Sequence, residues 1–86
     1  MDNIFSERAW EEYTDWLIKD KTMIKKINEL IKDINRNGLS LGMGKPEPLK
    51  YRKAWSRRIT SEHRLVYNFD ESKNLVIYSC RGHYED

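Results

Sequence analysis

The fold is decided by residues 54–81, which read AWSRRITSEHRLVYNFDESKNLVIYSCR. Three segments in this stretch, 54–60, 63–69 and 74–81, are rich in aromatic and β-branched residues. Short polar connections at 60–62 and 70–73 separate them. Connections of this length are typical of hairpins, so the sequence predicts an antiparallel meander of three strands.

The first predicted hairpin brings two arginines together. If its turn is centred on Ser61, then Arg58 lies opposite Arg64 and projects from the same face, because strand side chains alternate between faces. The same register places the following pairs opposite each other: Ile59 with His63, and Arg57 with Leu65. The other face then packs on the helices with Trp55, Ile59, Leu65 and Tyr67. Opposed arginines repel each other, so they indicate either a bound anion such as phosphate or a simply solvated sheet face.

Two amphipathic helices are predicted before these strands. Residues 3–5 form a short candidate strand, and Ser6 is a good N-cap for a helix that begins at Glu7. This helix has an apolar stripe formed by Ala9, Trp10, Tyr13, Trp16 and Leu17. Its acidic residues are expected to face water: Glu11, Glu12 and Asp15. After a break near residues 19–22, a second stripe follows the helical period from Met23 to Ile34 and stops at Asn37-Gly38.

Residues 38–48 are expected to form a stiff loop. They contain three glycines and two prolines, Gly38, Gly42, Gly44, Pro46 and Pro48. Such a segment can form neither a helix nor a central strand. Glu47 lies between the prolines, and its backbone is therefore restricted from both sides.

The length limits the number of domains, and the net charge limits the kind of polyanion interface that the protein can form. A chain of 86 residues is expected to form one domain with a single thin core. The net charge is only +2, so an interface for a polyanion requires clustering. A cluster is present between positions 45 and 64, where the basic residues are Lys45, Lys50, Arg52, Lys53, Arg57, Arg58 and Arg64. The acidic residues there are Glu47 and Glu62, whereas residues 2–20 are mostly acidic among their charged positions.

Cysteine usage and hydropathy favour a reducing cytoplasm. Cys80 is the single cysteine, so an internal disulfide is excluded and a buried free thiol is expected. The N-terminus lacks a basic region followed by an apolar one, and the apolar runs are too short to cross a bilayer. Neither secretion nor membrane association is expected.

Several motifs together carry a resemblance to a known family. They are IKKINELIKD (24–33), GKPEPLK (44–50), WSRRIT (55–60), EHRLVY (62–67) and the late pair His83-Tyr84. On these residues the chain resembles the YoeB toxins of bacterial toxin–antitoxin systems, within the RelE/ParE superfamily. The similarity covers nearly the full length, although residues 51–54 form a shorter loop than the family pattern and Glu85-Asp86 extend beyond its terminal tyrosine.

The resemblance implies an α+β fold, in which two N-terminal helices pack on one face of a mainly antiparallel twisted sheet and RNA binds the opposite face. It implies an endoribonuclease domain spanning residues 1–86, an mRNA interferase that cuts the message in the ribosomal A site and so inhibits translation. The implied partners are the ribosome, mRNA, an antitoxin of the YefM type and a second copy in a homodimer. No cofactor or metal is implied.

The resemblance also assigns roles to individual residues. The general base that activates the ribose 2′-hydroxyl falls on Glu47, the general acid for the 5′-oxygen falls on His83, and the arginine beside the scissile phosphate falls on Arg64. Substrate-binding positions fall on Lys50, Arg58 and Tyr84. The residue types suit these roles, because metal-free cleavage of RNA needs a proton acceptor, a proton donor and cations for the phosphorane.

Other functions explain part of the same pattern. A non-enzymatic inhibitor of DNA topoisomerase, as in the ParE branch, would not need the acid, base and arginine together. A plain nucleic-acid-binding module would need only the basic cluster. His63 is expected to be structural on the helix-packed face. The three tryptophans are expected to be core aromatics: Trp10, Trp16 and Trp55.

Overall fold

The computed structural model describes residues 2–83 and shows two helices packed against a five-stranded sheet. The elements in chain order are β1 (Asn3–Phe5), α1 (Glu7–Lys19), α2 (Lys21–Asn37), β2 (Glu47–Pro48), β3 (Trp55–Arg58), β4 (Arg64–Phe69) and β5 (Leu75–Ser79). The strand order is β1-β5-β4-β3-β2. β1 pairs with β5 in parallel, and the other neighbouring strands are antiparallel. The predicted α+β class and the mainly antiparallel sheet are therefore confirmed.

Local capping explains where the helices begin and end. The Ser6 hydroxyl accepts a hydrogen bond from the Ala9 N–H at 3.1 Å, as expected for an N-cap. Asp20 alone separates the helices, and its side chain accepts from the Thr22 N–H at 3.0 Å. The two predicted helices are thus present, and the break between them is shorter than expected. Gly38 ends α2 with a φ of 90°, and its N–H donates to the Ile34 carbonyl.

The core lies between α2 and one face of β4 and β5. Its buried side chains include Ile27, Leu30, Ile34, Leu65, Tyr67, Leu75 and Ile77. Full burial of an aliphatic side chain of this size stabilises the fold by roughly 1.5–3 kcal/mol. Because Leu65 and Tyr67 face the helices, Arg64 and Val66 project from the opposite face of β4. Cys80 is also buried, as expected, and burial raises the pKa of its thiol to about 12.

The expected orientation of α1 is wrong at three positions. Glu12 was expected to face water but is only 5% exposed, whereas Trp10 and Leu17 were expected in the core but are 55% and 43% exposed. The Glu12 carboxylate is buried because it accepts the Cys80 backbone N–H at 2.7 Å and the Arg8 Nε at 3.2 Å. A hydrogen-bonded carboxylate can lie inside the protein, so α1 is rotated relative to its apolar stripe.

The loop prediction for residues 38–48 needs one correction. Glu47–Pro48 form β2, a short strand at the edge of the sheet that pairs with Ser56 and Trp55 of β3. Proline is tolerated there because an edge strand does not require every N–H group. None of the helices within residues 2–83 is both long and apolar enough to cross a membrane.

Candidate active site

The face of the sheet opposite the helices gathers the predicted site residues of β2, β3 and β4. Arg58 is paired with Arg64, and Arg57 with Leu65, which confirms the predicted register of the hairpin. Glu47 is paired with Ser56 on the neighbouring strand. Directly paired residues share a face, and alternation along β3 places Ser56 and Arg58 on the same side. The two strand pairings thus bring a carboxylate and two guanidinium groups to one surface.

Glu47 and Arg64 are in contact on this surface. Arg64 Nη1 lies 3.9 Å from Glu47 Oε2, at the outer limit of an ion pair. It also donates to the Ser56 hydroxyl at 3.2 Å. The Arg64 side chain is 12% exposed, whereas that of Glu47 is 57% exposed. The arginine is therefore held by the sheet, while the carboxylate stays accessible to a ligand.

A buried arginine supports the loop that leads to Glu47. Arg57 lies on the helix-packed face of β3 and is fully buried. A guanidinium group has five N–H donors. Those of Arg57 are used by the Asp33 carboxylate (2.6 Å), the Tyr67 hydroxyl (2.8 Å) and the carbonyls of Gly38 (2.8 Å), Leu41 (2.7 Å) and Met43 (3.0 Å). The side chain of one strand residue thus ties down residues 38–43.

The same network includes the Asp33 carboxylate of α2. The Met43 N–H, which donates to Asp33 at 2.9 Å, lowers the pKa of Asp33, and Arg57 lowers it further against the opposing effect of burial. Beyond the network, the Gly44 carbonyl accepts the Arg58 N–H at 2.7 Å. The loop is therefore attached to α2 and β3 three residues before Glu47 begins β2.

Gly42 is required by the close approach of this loop to α2. Its φ is +117°, and a Cβ atom there would lie only 1.9 Å from Asp33 Oδ2. A side chain at this position would meet both backbone strain and a direct clash with the carboxylate that holds Arg57.

The segment that precedes His83 is attached to α1 and β4. The Trp16 Nε1 donates to the Cys80 carbonyl at 3.0 Å, and Arg81 Nη1 lies 2.6 Å from Asp15 Oδ2. Gly82 bonds to β4: its carbonyl accepts the Arg64 N–H at 3.1 Å. His83 is exposed and directly follows a residue bonded to the Arg64 backbone. The chain therefore brings the predicted acid toward the predicted arginine.

The remaining predicted residues are placed less centrally. Lys50 is exposed in the turn between β2 and β3, outside the paired rows that hold Glu47 and Arg64. Arg58 is exposed beside Arg64. Tyr84 lies outside the described residues. Trp16 and Trp55 pack against the core as expected, and His63 contacts Trp16 on the helix side, also as expected.

Sequence reasoning missed two residues near this surface. Ser56 is buried and binds Arg64; strand alternation from Arg58 could have indicated it. Arg52 places its guanidinium 4.2 Å from the centre of the Tyr78 ring, and no periodic signal exists for a turn residue of this kind. Within the described chain, no group of three or more His, Cys, Asp or Glu side chains is placed to hold a metal ion.

The comparisons with known proteins agree with this fold and sequence. Residues 5–84 match the family model of the YoeB-like toxin of bacterial type II toxin–antitoxin systems. The chain is 53% identical over 83 residues to Toxin YoeB of Escherichia coli K12, which covers 94% of this chain and 96% of that one. The YoeB dimer of Staphylococcus aureus superposes with a TM-score of 0.91 at 48% identity, covering 98% of each chain. The YoeB–YefM complex of the same organism gives a TM-score of 0.89, also covering 98% of each chain.

The chain is thus a toxin of the type II toxin–antitoxin class. It belongs to the YoeB family, as the resemblance of its motifs predicted.

Proposed function

We propose that this toxin is a metal-independent, ribosome-dependent endoribonuclease that cleaves mRNA in the ribosomal A site. The observation that carries the proposal is the contact between Glu47 and Arg64 on the open face of the sheet. Two opposed arginines and an accessible carboxylate on one surface suit a phosphodiester substrate better than a purely structural role. The backbone hydrogen bond from the Arg64 N–H to the Gly82 carbonyl supports the placement of His83 at the same site.

The chemistry assigned to these residues is an attack by the ribose on its own phosphate. Glu47 accepts the proton of the 2′-hydroxyl, and the 2′-oxygen bonds to phosphorus. Arg64 stabilises the negative charge of the phosphorane, and His83 donates a proton to the departing 5′-oxygen. The products are a 5′-hydroxyl end and a 2′,3′-cyclic phosphate, which hydrolysis opens to a 3′-phosphate.

Three further residues bind the substrate in this proposal. Arg58, exposed and opposite Arg64, contacts the phosphate backbone. Lys50 extends the basic surface at the turn after β2. Tyr84, which follows His83 in the chain, is the third proposed substrate-binding residue. The proposed reaction uses no cofactor.

The proposed partners follow from the family and from the charge of the site. The S. aureus YoeB–YefM complex supports an antitoxin of the YefM type, and the S. aureus YoeB dimer supports a homodimer. An acidic segment that orders on binding would suit the basic face. The ribosome and mRNA are the targets, so the site of action is the cytoplasm. Residues 1–86 are proposed to act as one ribonuclease-toxin domain.

Primer extension on an mRNA translated by purified ribosomes tests the proposal. Wild-type protein should cut within the A-site codon, and Glu47→Gln and His83→Ala should abolish the cuts while the fold is unchanged. Glu71→Gln, an exposed acid in the turn after β4, is the matched control and should cut normally. Wild-type rates in both site variants would remove these residues from the mechanism. An uncut message with wild-type protein would turn attention to inhibition of DNA topoisomerase.

A further inference from the structure

The His63 side chain accepts a hydrogen bond in addition to its packing against the helix side of the sheet. Its Nδ1 accepts the backbone N–H of Gly82 at 2.9 Å, across 19 positions of the chain. An imidazole nitrogen can accept only when it carries no proton, so the bond requires neutral His63 with its proton on Nε2. The ring is half-buried and packs edge-on against Trp16, with centroids 5.0 Å apart. The acceptor is therefore held in a fixed direction.

His63 and Arg64 bind Gly82 from both sides. The Gly82 N–H donates to the His63 side chain, and the Gly82 carbonyl accepts the Arg64 N–H. Gly82 has a φ of +86°, in the left-handed region that few other residues adopt. Both peptide groups of this turn are thus oriented immediately before His83, where the freedom of Gly82 would otherwise let the chain leave the sheet.

The other contacts of the segment act earlier in the chain. Glu12 and Trp16 hold Cys80, and Asp15 holds Arg81. A displacement at Gly82 would still move His83 even with these contacts intact. A misplacement of about 1 Å at a reacting group can reduce the rate by as much as 10²-fold.

We propose that His63 is a positioning residue for the general acid: its Nδ1 holds the Gly82 amide, and this fixes His83 beside the 5′-oxygen of the scissile phosphate. The inference rests on the proposed function, because it assumes that His83 donates the proton. In this proposal His63 itself touches neither the substrate nor the proton that His83 donates.

Two substitutions distinguish the role of the Nδ1 acceptor from the role of the packing of the ring. His63→Leu keeps an apolar side chain against Trp16 but removes the acceptor. His63→Asn places an amide oxygen close to the position of Nδ1 and restores it. If only the packing of the ring matters, the asparagine variant should be the worse of the two.

Two synthetic messages distinguish a misplaced general acid from a general structural loss of activity. One has an ordinary 5′-oxygen at the scissile bond in the A-site codon, and the other has a bridging 5′-sulfur at the same bond. A thiolate leaves without a proton from the enzyme, so cleavage of the sulfur message does not need a general acid. His83→Ala should fail on the oxygen message and recover on the sulfur message. Glu47→Gln should be slow on both.

We expect His63→Leu to lose about tenfold to 10²-fold on the oxygen message and to match wild type on the sulfur message. His63→Asn should stay near wild type on both. An equal loss of His63→Leu on both messages would show a structural role, and no loss on either would show no role; both overturn the inference. Wild-type protein that cleaves neither message would instead refute the proposed function, and the inference with it.

A backbone variant keeps the test decisive if His63→Leu does not fold. Cys80 permits ligation of a synthetic peptide 80–86 to residues 1–79, in which Gly82 is replaced by glycolic acid. This ester lacks the N–H donor but leaves His63 unchanged. The same selective loss on the oxygen message is expected, with ligated all-amide protein as the control, and equal rates of the two ligated proteins on that message would overturn the inference.

Discussion

The two chain segments that carry the proposed base and the proposed acid are held in different ways. The loop at residues 38–46, before Glu47, is held mainly by one buried side chain, Arg57, which binds three of its carbonyls. The segment at residues 79–83 is held by separate contacts from α1, His63 and β4, each made by a different residue. We call residues 38–46 the base loop and residues 79–83 the acid segment. The contacts of the base loop are thus concentrated on one side chain, whereas those of the acid segment are distributed over several residues. Single substitutions should therefore be severe in the first and graded in the second.

The largest effect is expected for Arg57→Met. It leaves the Asp33 carboxylate buried without its counter-ion and frees several carbonyls at once. Breaking a buried ion pair by removing one partner typically costs about 3–5 kcal/mol. Urea unfolding should show this loss, and Arg58→Met, the exposed neighbour, should be within about 0.5 kcal/mol of wild type. Equal stabilities of the two variants would show that the base loop does not depend on Arg57.

Gly42→Ala should have the next largest effect. The new Cβ would lie 1.9 Å from Asp33 Oδ2 at a φ of +117°, so strain and clash add. A destabilisation of about 3 kcal/mol is expected, because the clash adds to a backbone strain on the order of 1–3 kcal/mol. Gly38→Ala is the control, since its φ is +90° with nothing within 4 Å, so it should show the backbone strain, on the order of 1–3 kcal/mol, without the clash. A Gly42 variant no worse than the Gly38 variant would contradict the close packing of the loop on α2.

The base loop should also be sensitive to acid through Asp33. The pKa of this carboxyl is lowered in the fold, first by the Met43 N–H and then by Arg57. A lowered pKa contributes stability above the ordinary pKa of the unfolded chain, and this stability is lost as the pH falls through the lower, folded value. Unfolding measured from pH 7 down to pH 3 should therefore lose more stability in wild type than in Asp33→Asn. Parallel pH profiles of the two proteins would remove Asp33 from the acid response.

The smallest effect is expected for Trp16→Phe in the acid segment. Phenylalanine keeps the aromatic packing against His63 but removes the N–H that binds the Cys80 carbonyl. Loss of one hydrogen bond of this kind costs about 1 kcal/mol. The effect should not exceed this value by much, because the contacts from Glu12 and Asp15 still hold the segment. Thermal or urea unfolding would measure it. A loss as large as that of Arg57→Met would show that the acid segment is not held by distributed contacts.

Local rules predicted much of the framework. The Ser6 cap, the apolar stripe of α2 and the turn at Ser61 depend on neighbours in the chain, and the turn was enough to place Arg58 opposite Arg64. Strand alternation also placed Arg57 between residues of the helix-packed face, but an arginine is expected at the surface. Its burial depends on carbonyls and a carboxylate that converge only after folding.

Long-range contacts account for the parts that were wrong. Glu12 is buried because a backbone N–H 68 positions away needs an acceptor, and no local pattern records that need. Glu12 is buried and Trp10 is exposed for the same reason, because α1 is rotated about its axis relative to the orientation that its apolar stripe predicts. The carboxylate and arginine of the candidate site were assigned from family motifs, whereas the bond of His63 to Gly82 became visible only in the structure.

The most direct test of the proposed chemistry is the identity of the ends that the toxin leaves on a ribosome-bound message. Attack by the 2′-hydroxyl with Glu47 as base and His83 as acid should leave a 2′,3′-cyclic phosphate or 3′-phosphate upstream and a 5′-hydroxyl downstream, within the A-site codon. Mass spectrometry of both fragments should find these ends with wild-type protein. Fragments with a 3′-hydroxyl and a 5′-phosphate would mean that water, not the ribose, attacks phosphorus, and the roles of Glu47, Arg64 and His83 would be contradicted.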